Sequence, residues 1–332
     1  MFNKVFVISI FSFLLSACSS FQGGNNNSFD LHLTSFEYPF PVKYFDLKSQ
    51  REDLKMAYMD LNSDSKKIIV LLHGKNFSGF YWERIASELV KRDFRVIIPD
   101  QIGFGKSSKP KYYQYSFYNL ALNTKKLLDK LETRNFILVG HSMGGMLATH
   151  FTYQYPKVVK QLVMINPIGL EPYLKYVEYK DPQFFYENEL NKTPEKFKEY
   201  QKRNYYDGKW KPEYDKLLIP LTGQMRGDDW SRVAWNNALT YGPIFSEDIT
   251  SKFKDIDNQV LLIIGMRDKT GPGRFWKKKG VKYKLGQYDK LGKLTNRALK
   301  NSHLVELSGL GHMPQFEDFS RFSSAFFDNL RP

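Results

Sequence analysis

A glycine-flanked serine directly behind an apolar run is the feature that most limits what this chain can fold into. The run Phe136-Ile137-Leu138-Val139 predicts a buried strand, and Gly140-His141-Ser142-Met143-Gly144 follows it. The apolar residues after this motif predict a helix. Small residues on both sides of Ser142 let the chain turn sharply from strand to helix, which leaves the hydroxyl above the sheet. The motif therefore predicts a serine nucleophile.

A serine hydroxyl is a weak nucleophile until a base takes its proton, so a histidine held by a carboxylate is expected further along. Among the six histidines, His312 lies in Gly-His-Met-Pro immediately after a predicted last strand, Leu304-Val305-Glu306-Leu307. His303 begins that strand, which would place it at the wrong edge of a parallel sheet. His312 is therefore the predicted base, and His73 and His141 beside the site are expected to be structural.

The orienting acid is expected at the end of another buried strand. Val260-Leu261-Leu262-Ile263-Ile264 predicts such a strand, and Asp268 follows it closely. The preceding predicted strand ends in Asn166, which is not an acid. Asp268 is therefore the predicted acid, and a helix N-cap before Thr270 is the alternative role for its side chain.

The chain order of these three residues resembles that of the α/β-hydrolase superfamily, and the resemblance extends from about residue 41 to residue 330. The segments 71–77 and 99–108 resemble the lidded branch, which includes bacterial esterases, C-C bond hydrolases, epoxide hydrolases and haloalkane dehalogenases. The resemblance implies an α/β fold: a mostly parallel sheet with helices on both faces and an inserted helical lid. It also implies that the backbone amides of Lys75 and Met143 form the oxyanion hole. The Lys75 side chain is expected to point into solvent.

The predicted serine nucleophile limits which reactions of this branch the chain can be expected to catalyse. Epoxide hydrolases and dehalogenases need a carboxylate where this chain has Ser142. C-C hydrolases usually carry a Ser-Gly-Pro-Gly-like turn where this chain has Lys75-Asn76-Phe77-Ser78. We therefore predict cleavage of a carboxylic ester, with C-C bond or amide cleavage on the same triad as alternatives. A non-catalytic surface lipoprotein that uses the fold as a binding module is a further alternative. No charged substrate clamp is visible in the sequence, which favours an uncharged ester of short or medium acyl chain.

The amino terminus predicts export and a lipid anchor. A basic residue, Lys4, precedes an apolar stretch that is too short to span a bilayer, and Leu15-Ser16-Ala17-Cys18 resembles the lipobox of bacterial lipoproteins. Residues 1–17 are predicted to be the signal peptide, the single cysteine Cys18 the lipidated residue, and residues 18–30 a flexible tether. The expected location is a bacterial membrane, namely the periplasmic side of the outer membrane if the host is Gram-negative.

The remaining chain is predicted to form one hydrolase core, 31–167 with 257–332, and one helical lid, 168–256. No P-loop and no His/Cys cluster is present, so neither a cofactor nor a metal site is predicted. The net charge is +14, and ten basic residues with one acid fall between Gly271 and Lys300. This segment is interpreted either as a membrane-facing surface or as a solvated helix. Nucleic acid is not an expected partner, and no oligomeric state is predicted.

Overall fold

One sheet forms the centre of the molecule. The computed structural model describes residues 27–332, and in this part of the chain eight strands pair in the order β1-β2-β4-β3-β5-β6-β7-β8. The strands are β1 (Val42–Ser49), β2 (Glu52–Leu61), β3 (Lys67–Leu72), β4 (Phe94–Pro99), β5 (Phe136–His141), β6 (Val159–Ile165), β7 (Gln259–Gly265) and β8 (Ser302–Leu307). β2 pairs antiparallel with both β1 and β4, and the pairings from β4 to β8 are all parallel. The mostly parallel sheet of the α/β-hydrolase fold is confirmed.

Helices cover both faces of the sheet. They are α1 (Glu83–Lys91), α2 (Phe117–Lys130), α3 (Met143–Gln154), α4 (Tyr173–Tyr176), α5 (Pro182–Leu190), α6 (Pro194–Tyr205), α7 (Asp215–Met225), α8 (Trp230–Leu239), α9 (Tyr241–Ser246), α10 (Tyr288–Ala298), α11 (Pro314–Glu317) and α12 (Phe319–Phe327). Short 3-10 turns occupy Gly79–Trp82, Pro156–Val158, Pro212–Tyr214 and Thr250–Asp255. Helices α2, α3 and α10 pack on one face, and α1 and α12 pack on the other.

The unbroken apolar runs of the central strands follow from this two-sided packing. Successive strand residues point to opposite faces, so a strand that is covered on both sides needs apolar residues throughout. In β3, Val70 and Leu72 join the core beneath α2 and α3, whereas Ile69 and Leu71 join the core beneath α1 and α12. Each core therefore takes every second residue of the same strand.

The segment between β6 and β7 is helical and contains α4 to α9. The pairs Asp181-Pro182 and Thr193-Pro194 in the sequence each predict an N-cap followed by proline at the first helical position, and α5 and α6 begin there. The Asp181 carboxylate accepts a hydrogen bond from the Phe184 amide at 2.8 Å, and the Thr193 hydroxyl accepts one from the Lys196 amide at 3.3 Å. Among residues 27–332, no helix has the length and apolarity required to cross a bilayer.

The first described residues are packed against the domain, unlike the end of the tether that we expected. The Phe29 side chain is buried, and its amide donates to the Gly223 carbonyl of α7 at 3.0 Å. A Cβ atom at Gly223 would lie 2.1 Å from the Phe29 ring, so the glycine makes room for the aromatic side chain. The polar composition of the surrounding residues gave no sign of this apolar contact, and the packed part of the chain begins no later than Phe29. Residues 1–26, which include the predicted signal peptide and Cys18, lie outside the described residues.

Candidate active site

The turn from β5 to α3 holds Ser142 in a strained backbone conformation. Its φ of 56° and ψ of −119° lie in a region that side-chain-bearing residues rarely adopt. The glycines on both sides make the turn possible. A Cβ atom at Gly140 would lie 2.1 Å from the Gly144 carbonyl oxygen, and one at Gly144 would lie 2.2 Å from the Leu72 carbonyl oxygen. The close approach of α3 to the end of β5 therefore requires glycine at position 140, and its close approach to β3 requires glycine at position 144.

The structure brings Ser142, His312 and Asp268 together, although they lie far apart in the chain. The Ser142 Oγ lies 3.0 Å from the His312 Nε2, and the His312 Nδ1 lies 2.7 Å from the Asp268 Oδ2. All three side chains are buried. A proton on Nδ1 that is donated to the carboxylate leaves Nε2 as an acceptor for the serine hydroxyl. The arrangement can therefore remove the hydroxyl proton as the oxygen attacks.

The Asp268 carboxylate is held in its ionised form by its neighbours. Burial by itself raises its pKa, but the His312 ring and hydrogen bonds from His312 and Thr270 outweigh burial and hold the pKa below its usual value. The Thr270 amide donates to Oδ1 at 2.7 Å, but no helix begins here among the described residues, so this bond stabilises a turn and is not the helix N-cap considered as the alternative role. One carboxylate oxygen holds the turn, and the other contacts His312.

Asn166 is a site residue that sequence reasoning considered only as a missing acid. Its Nδ2 donates to the Asp268 Oδ2 at 2.9 Å, which is the oxygen that also contacts His312. Its Oδ1 accepts a hydrogen bond from the Gly265 amide at 2.9 Å. The sequence signal that could have identified Asn166 as a site residue was its position at the end of β6, because that strand end meets the end of β7 at the same edge of the sheet.

The amides of Lys75 and Met143 are available as hydrogen-bond donors beside Ser142. Met143 is the first residue of α3, where amides have no acceptor within the helix. The loop that contains Lys75 passes close to the serine, since a Cβ atom at Gly74 would lie 3.1 Å from the Ser142 Cβ. Neither amide donates a hydrogen bond within residues 27–332.

The buried His141 ring holds both this loop and His312 in place through hydrogen bonds. The His141 Nε2 lies 2.9 Å from the His312 carbonyl oxygen, and its Nδ1 lies 3.1 Å from the Tyr81 hydroxyl. The same hydroxyl accepts a hydrogen bond from the Gly74 amide at 3.0 Å. Burial, with a smaller contribution from His312, lowers the pKa of His141 to about 3, so this ring is neutral. His141 is therefore a structural link, as predicted.

The expected orientation of the Lys75 side chain is wrong. Instead of pointing into solvent it is buried, and its Nζ donates to the Asn237 carbonyl at 2.6 Å and to the Thr240 hydroxyl at 2.9 Å. The ammonium also lies 4.1 Å above the centre of the Tyr241 ring. Burial lowers the pKa of Lys75 to about 7, although the charge of Glu189 opposes that shift. The lid covers this loop and supplies the acceptors, which could not be inferred from the local sequence.

Aromatic side chains of the lid complete the site. The Tyr205 ring at the end of α6 lies with its centre 4.5 Å from that of the His312 ring. A cleft of about 420 Å³ opens between α6, α9 and the loop after β7. Within residues 27–332, no group of three or more His, Cys, Asp or Glu side chains is arranged to hold a metal ion.

Comparisons with known proteins agree with this fold. The sequence model described as the alpha/beta hydrolase fold matches residues 67–319. A probable hydrolytic enzyme from Pseudomonas aeruginosa PAO1 is 40% identical over 93% of this chain and all of its own, and its crystal structure superposes with a TM-score of 0.90. An esterase from Exiguobacterium antarcticum has a TM-score of 0.68 at 18% identity over 86% of this chain and 98% of its own, which supports the fold alone.

Matches to curated relatives are shorter. A cis-3-alkyl-4-alkyloxetan-2-one decarboxylase from Shewanella oneidensis is 35% identical over 119 residues, which are 35% of this chain and 36% of that protein. An uncharacterized protein from Mycobacterium tuberculosis is 36% identical over 102 residues, which are 31% of this chain and 29% of that protein. The chain thus spans about a third of the length of the curated relatives it matches.

Proposed function

Because the chain belongs to the alpha/beta hydrolase fold family, we propose that it is a serine hydrolase that cleaves a carboxylic ester through an acyl-enzyme. The observation that supports this reaction is the continuous contact from the Ser142 Oγ through the His312 ring to the Asp268 carboxylate. Each residue has one role in the proposal. Ser142 attacks the acyl carbon, His312 carries the proton, and Asp268 holds the imidazole in the required tautomer.

In the first step, the Ser142 Oγ bonds to the carbonyl carbon while the His312 Nε2 takes the hydroxyl proton. The carbonyl oxygen gains negative charge, which the amides of Lys75 and Met143 stabilise. One such donor is worth about 3 kcal/mol in the transition state. The tetrahedral intermediate collapses, the alcohol leaves with the proton from His312, and the acyl group stays on Ser142. A water molecule, activated by His312, then attacks the acyl group in the same way, which releases the acid and restores the Ser142 hydroxyl.

We also propose that the enzyme acts at a membrane. The motif Leu15-Ser16-Ala17-Cys18 supports export and lipidation of Cys18, with palmitate among the attached chains. A single acyl chain gives only marginal membrane binding, whereas the two or three chains of a lipoprotein hold a protein firmly. The substrate in this proposal is a small-molecule ester that reaches Ser142 from the side of the lid.

The nucleophile is tested with a fluorophosphonate probe and a panel of 4-nitrophenyl esters, a matched amide and a vinylogous diketone, on the full chain in detergent. We expect the wild type to be labelled and to cleave esters faster than the amide, whose leaving group needs harder protonation. Ser142→Ala should lose both labelling and ester hydrolysis. The exposed Ser308 supplies the control, because Ser308→Ala should keep both.

Other results would change the assignment in defined ways. A preference for the diketone would favour C-C bond cleavage on the same residues. An unlabelled wild type that cleaves nothing in the panel would favour the non-catalytic binding module. Labelling that persists in Ser142→Ala would place the nucleophile elsewhere.

A further inference from the structure

A cleft near Ser142, Asp268 and His312 offers space for the part of a substrate that extends away from the cleaved bond, although none of these three side chains lines it. Its lining includes Asn76, the neighbour of Lys75 in the predicted oxyanion loop. The lining also includes Thr270, whose amide donates to Asp268. The cleft thus adjoins two loops of the site, and its volume of about 420 Å³ lies within the range of small-molecule sites.

Aromatic side chains form much of the lining. Phe197 and Tyr200 come from α6, and Tyr241 comes from the start of α9. Phe197 is buried in the lid, whereas the Tyr200 side chain is partly exposed to solvent. Such walls favour the hydrocarbon part of a substrate, which loses contact with water on binding.

Basic side chains complete the lining, and no carboxylate is among the lining residues. The Lys192 ammonium lies 2.6 Å from the buried Glu189 carboxylate, so its charge is balanced. Lys196 and Arg274 are different, because their partners are neutral oxygens. The Lys196 Nζ donates to the Asn191 carbonyl at 3.1 Å.

Arg274 is held in one orientation without being neutralised. Its Nη1 donates to the Lys269 carbonyl at 2.7 Å, and its Nη2 donates to the Asn204 side-chain oxygen. Within residues 27–332, neither Arg274 nor Lys196 forms an ion pair with a carboxylate. Two positive charges therefore face a partly apolar cleft and are not balanced by the protein.

We propose that this cleft selects esters that bear an anionic group, a carboxylate or a phosphate, at a distance from the bond that is cleaved. The inference rests on the proposed function, since it names the substrate class of the same site. A guanidinium and an ammonium without carboxylate partners attract an anion, and the guanidinium fork matches carboxylate and phosphate oxygens. The uncharged ester expected from the sequence followed from the absence of a visible clamp. The fold instead places Lys196 and Arg274 in the lining of one cleft.

Matched soluble esters test the selectivity. The 4-nitrophenyl monoester of adipic acid carries a terminal carboxylate, and its methyl-capped counterpart has the same chain without the charge. The 4-nitrophenyl ester of 5-phosphonopentanoic acid tests phosphonate against carboxylate. For the full chain in detergent, we expect kcat/KM for at least one anionic ester to exceed that for the capped ester by about tenfold or more, mainly through KM.

Three variants locate the source of the preference. Arg274→Gln and Lys196→Gln should each lower the ratio of anionic to capped kcat/KM by about fivefold, and the double variant should remove the preference. Arg203→Gln is the matched control, because Arg203 is an exposed α6 residue that does not line the cleft. This control should retain the wild-type ratio.

Calorimetric binding of the anionic and the capped esters to the Ser142→Ala variant separates this inference from the proposed function. Tighter binding of the anionic ester than of the capped ester, lost when Arg274→Gln is added, supports the cleft assignment even if no ester is hydrolysed. Equal kcat/KM for anionic and capped esters, together with equal binding, would overturn the assignment and leave ester hydrolysis intact. An anionic preference that falls equally in Arg203→Gln would show general charge attraction instead and would also overturn it.

Discussion

Lys75 illustrates how one residue can serve the site through its backbone and the lid through its side chain. The amide lies beside Ser142, while the ammonium is bonded to the Asn237 carbonyl and the Thr240 hydroxyl. The charged groups that face it are Glu189 from α5 and Lys192 just after it. A charged group in such a buried place pays for desolvation, and hydrogen bonds to neutral oxygens offset only part of that penalty.

A comparison of the wild type with Lys75→Met should show this penalty as a function of pH. Burial lowers the pKa of Lys75 to about 7, whereas a lysine in the unfolded chain titrates near about 10.4. Below the pKa of the folded state Lys75 is charged in both states, and the whole desolvation penalty lowers the free energy of unfolding. Between the two values the unfolded chain binds more protons than the folded one, so the free energy of unfolding rises with pH.

Thermal unfolding of both proteins from about pH 6.5 to about pH 9 measures this effect. The melting temperature of the wild type minus that of Lys75→Met should increase over the range, because methionine does not titrate and the other groups are shared. A difference that stays constant would mean that Lys75 keeps its proton throughout, held by Glu189 and the lid oxygens.

The residues of the candidate site were predictable from the sequence to different degrees. Ser142 and Asp268 follow strongly apolar strands and His312 follows the half-polar strand β8, so their chain positions already placed them at one edge of the sheet. The contacts of Lys75 and Asn166 depend on which side chains arrive from distant elements. Local sequence patterns contain no information about those neighbours. The prediction that the Lys75 side chain points into solvent was wrong for that reason.

The elbow between β5 and α3 is the element on which the site depends most. Its helix approaches β3 so closely that Gly144 faces the carbonyl oxygens of Leu72 and His73, at 2.2 and 2.6 Å from a Cβ atom. Both neighbours are backbone atoms of a buried strand end, which cannot yield as a flexible side chain can. A larger residue must therefore displace α3 and the serine that precedes it.

Gly144→Ala should destabilise the protein by about 3 kcal/mol or more, as overpacking against rigid backbone does, and should slow labelling of Ser142 by the fluorophosphonate probe. Gly242→Ala in α9 is the matched control. A Cβ atom at Gly242 meets nothing within 4 Å, so alanine there should be neutral or slightly stabilising. Calorimetric unfolding and the rate of labelling measure the two effects. Equal behaviour of both variants would contradict the close approach of α3 to β3.

At the scale of elements, the sequence predicted the strands well because burial on both faces demands continuous apolar runs. The lid helices with Asp181-Pro182 and Thr193-Pro194 were predictable for a similarly local reason, namely their capping side chains. The cleft was not predictable. Its basic side chains come from α6 and from the loop after β7, and only the folded lid places them around one space.

For the whole molecule, the amino-terminal segment connects the lid with the core. The Phe29 amide donates to the Gly223 carbonyl, and the Leu31 amide donates to the Asp229 carboxylate at 2.8 Å, both in the lid. The Lys106 ammonium, which belongs to the core, donates to the Leu33 carbonyl at 2.5 Å. The polypeptide therefore enters the domain beside α7 and α8 of the lid.

This entry point limits how far the domain can lie from the proposed anchor. Eight residues lie between Cys18 and Asn27, the first described residue, and the nine Cα-to-Cα steps reach about 30 Å when the chain is fully extended. If Cys18 is lipidated, the part of the lid that contacts Phe29 cannot be held much further than this from the membrane surface, apart from the thickness of the lipid headgroups.

Replacement of Cys18 tests the anchor separately from catalysis. Cys18→Ser should no longer incorporate labelled palmitate, because serine cannot form the thioether and acyl linkages of a lipoprotein. Hydrolysis of a soluble ester in detergent should persist, because the packed domain begins only near Phe29. Ser20→Ala, two residues away, should label as the wild type does and thus control for changes in the leader region. Labelling of Cys18→Ser at the wild-type level would contradict the lipobox and leave only the basic segment 271–300 as a basis for membrane association.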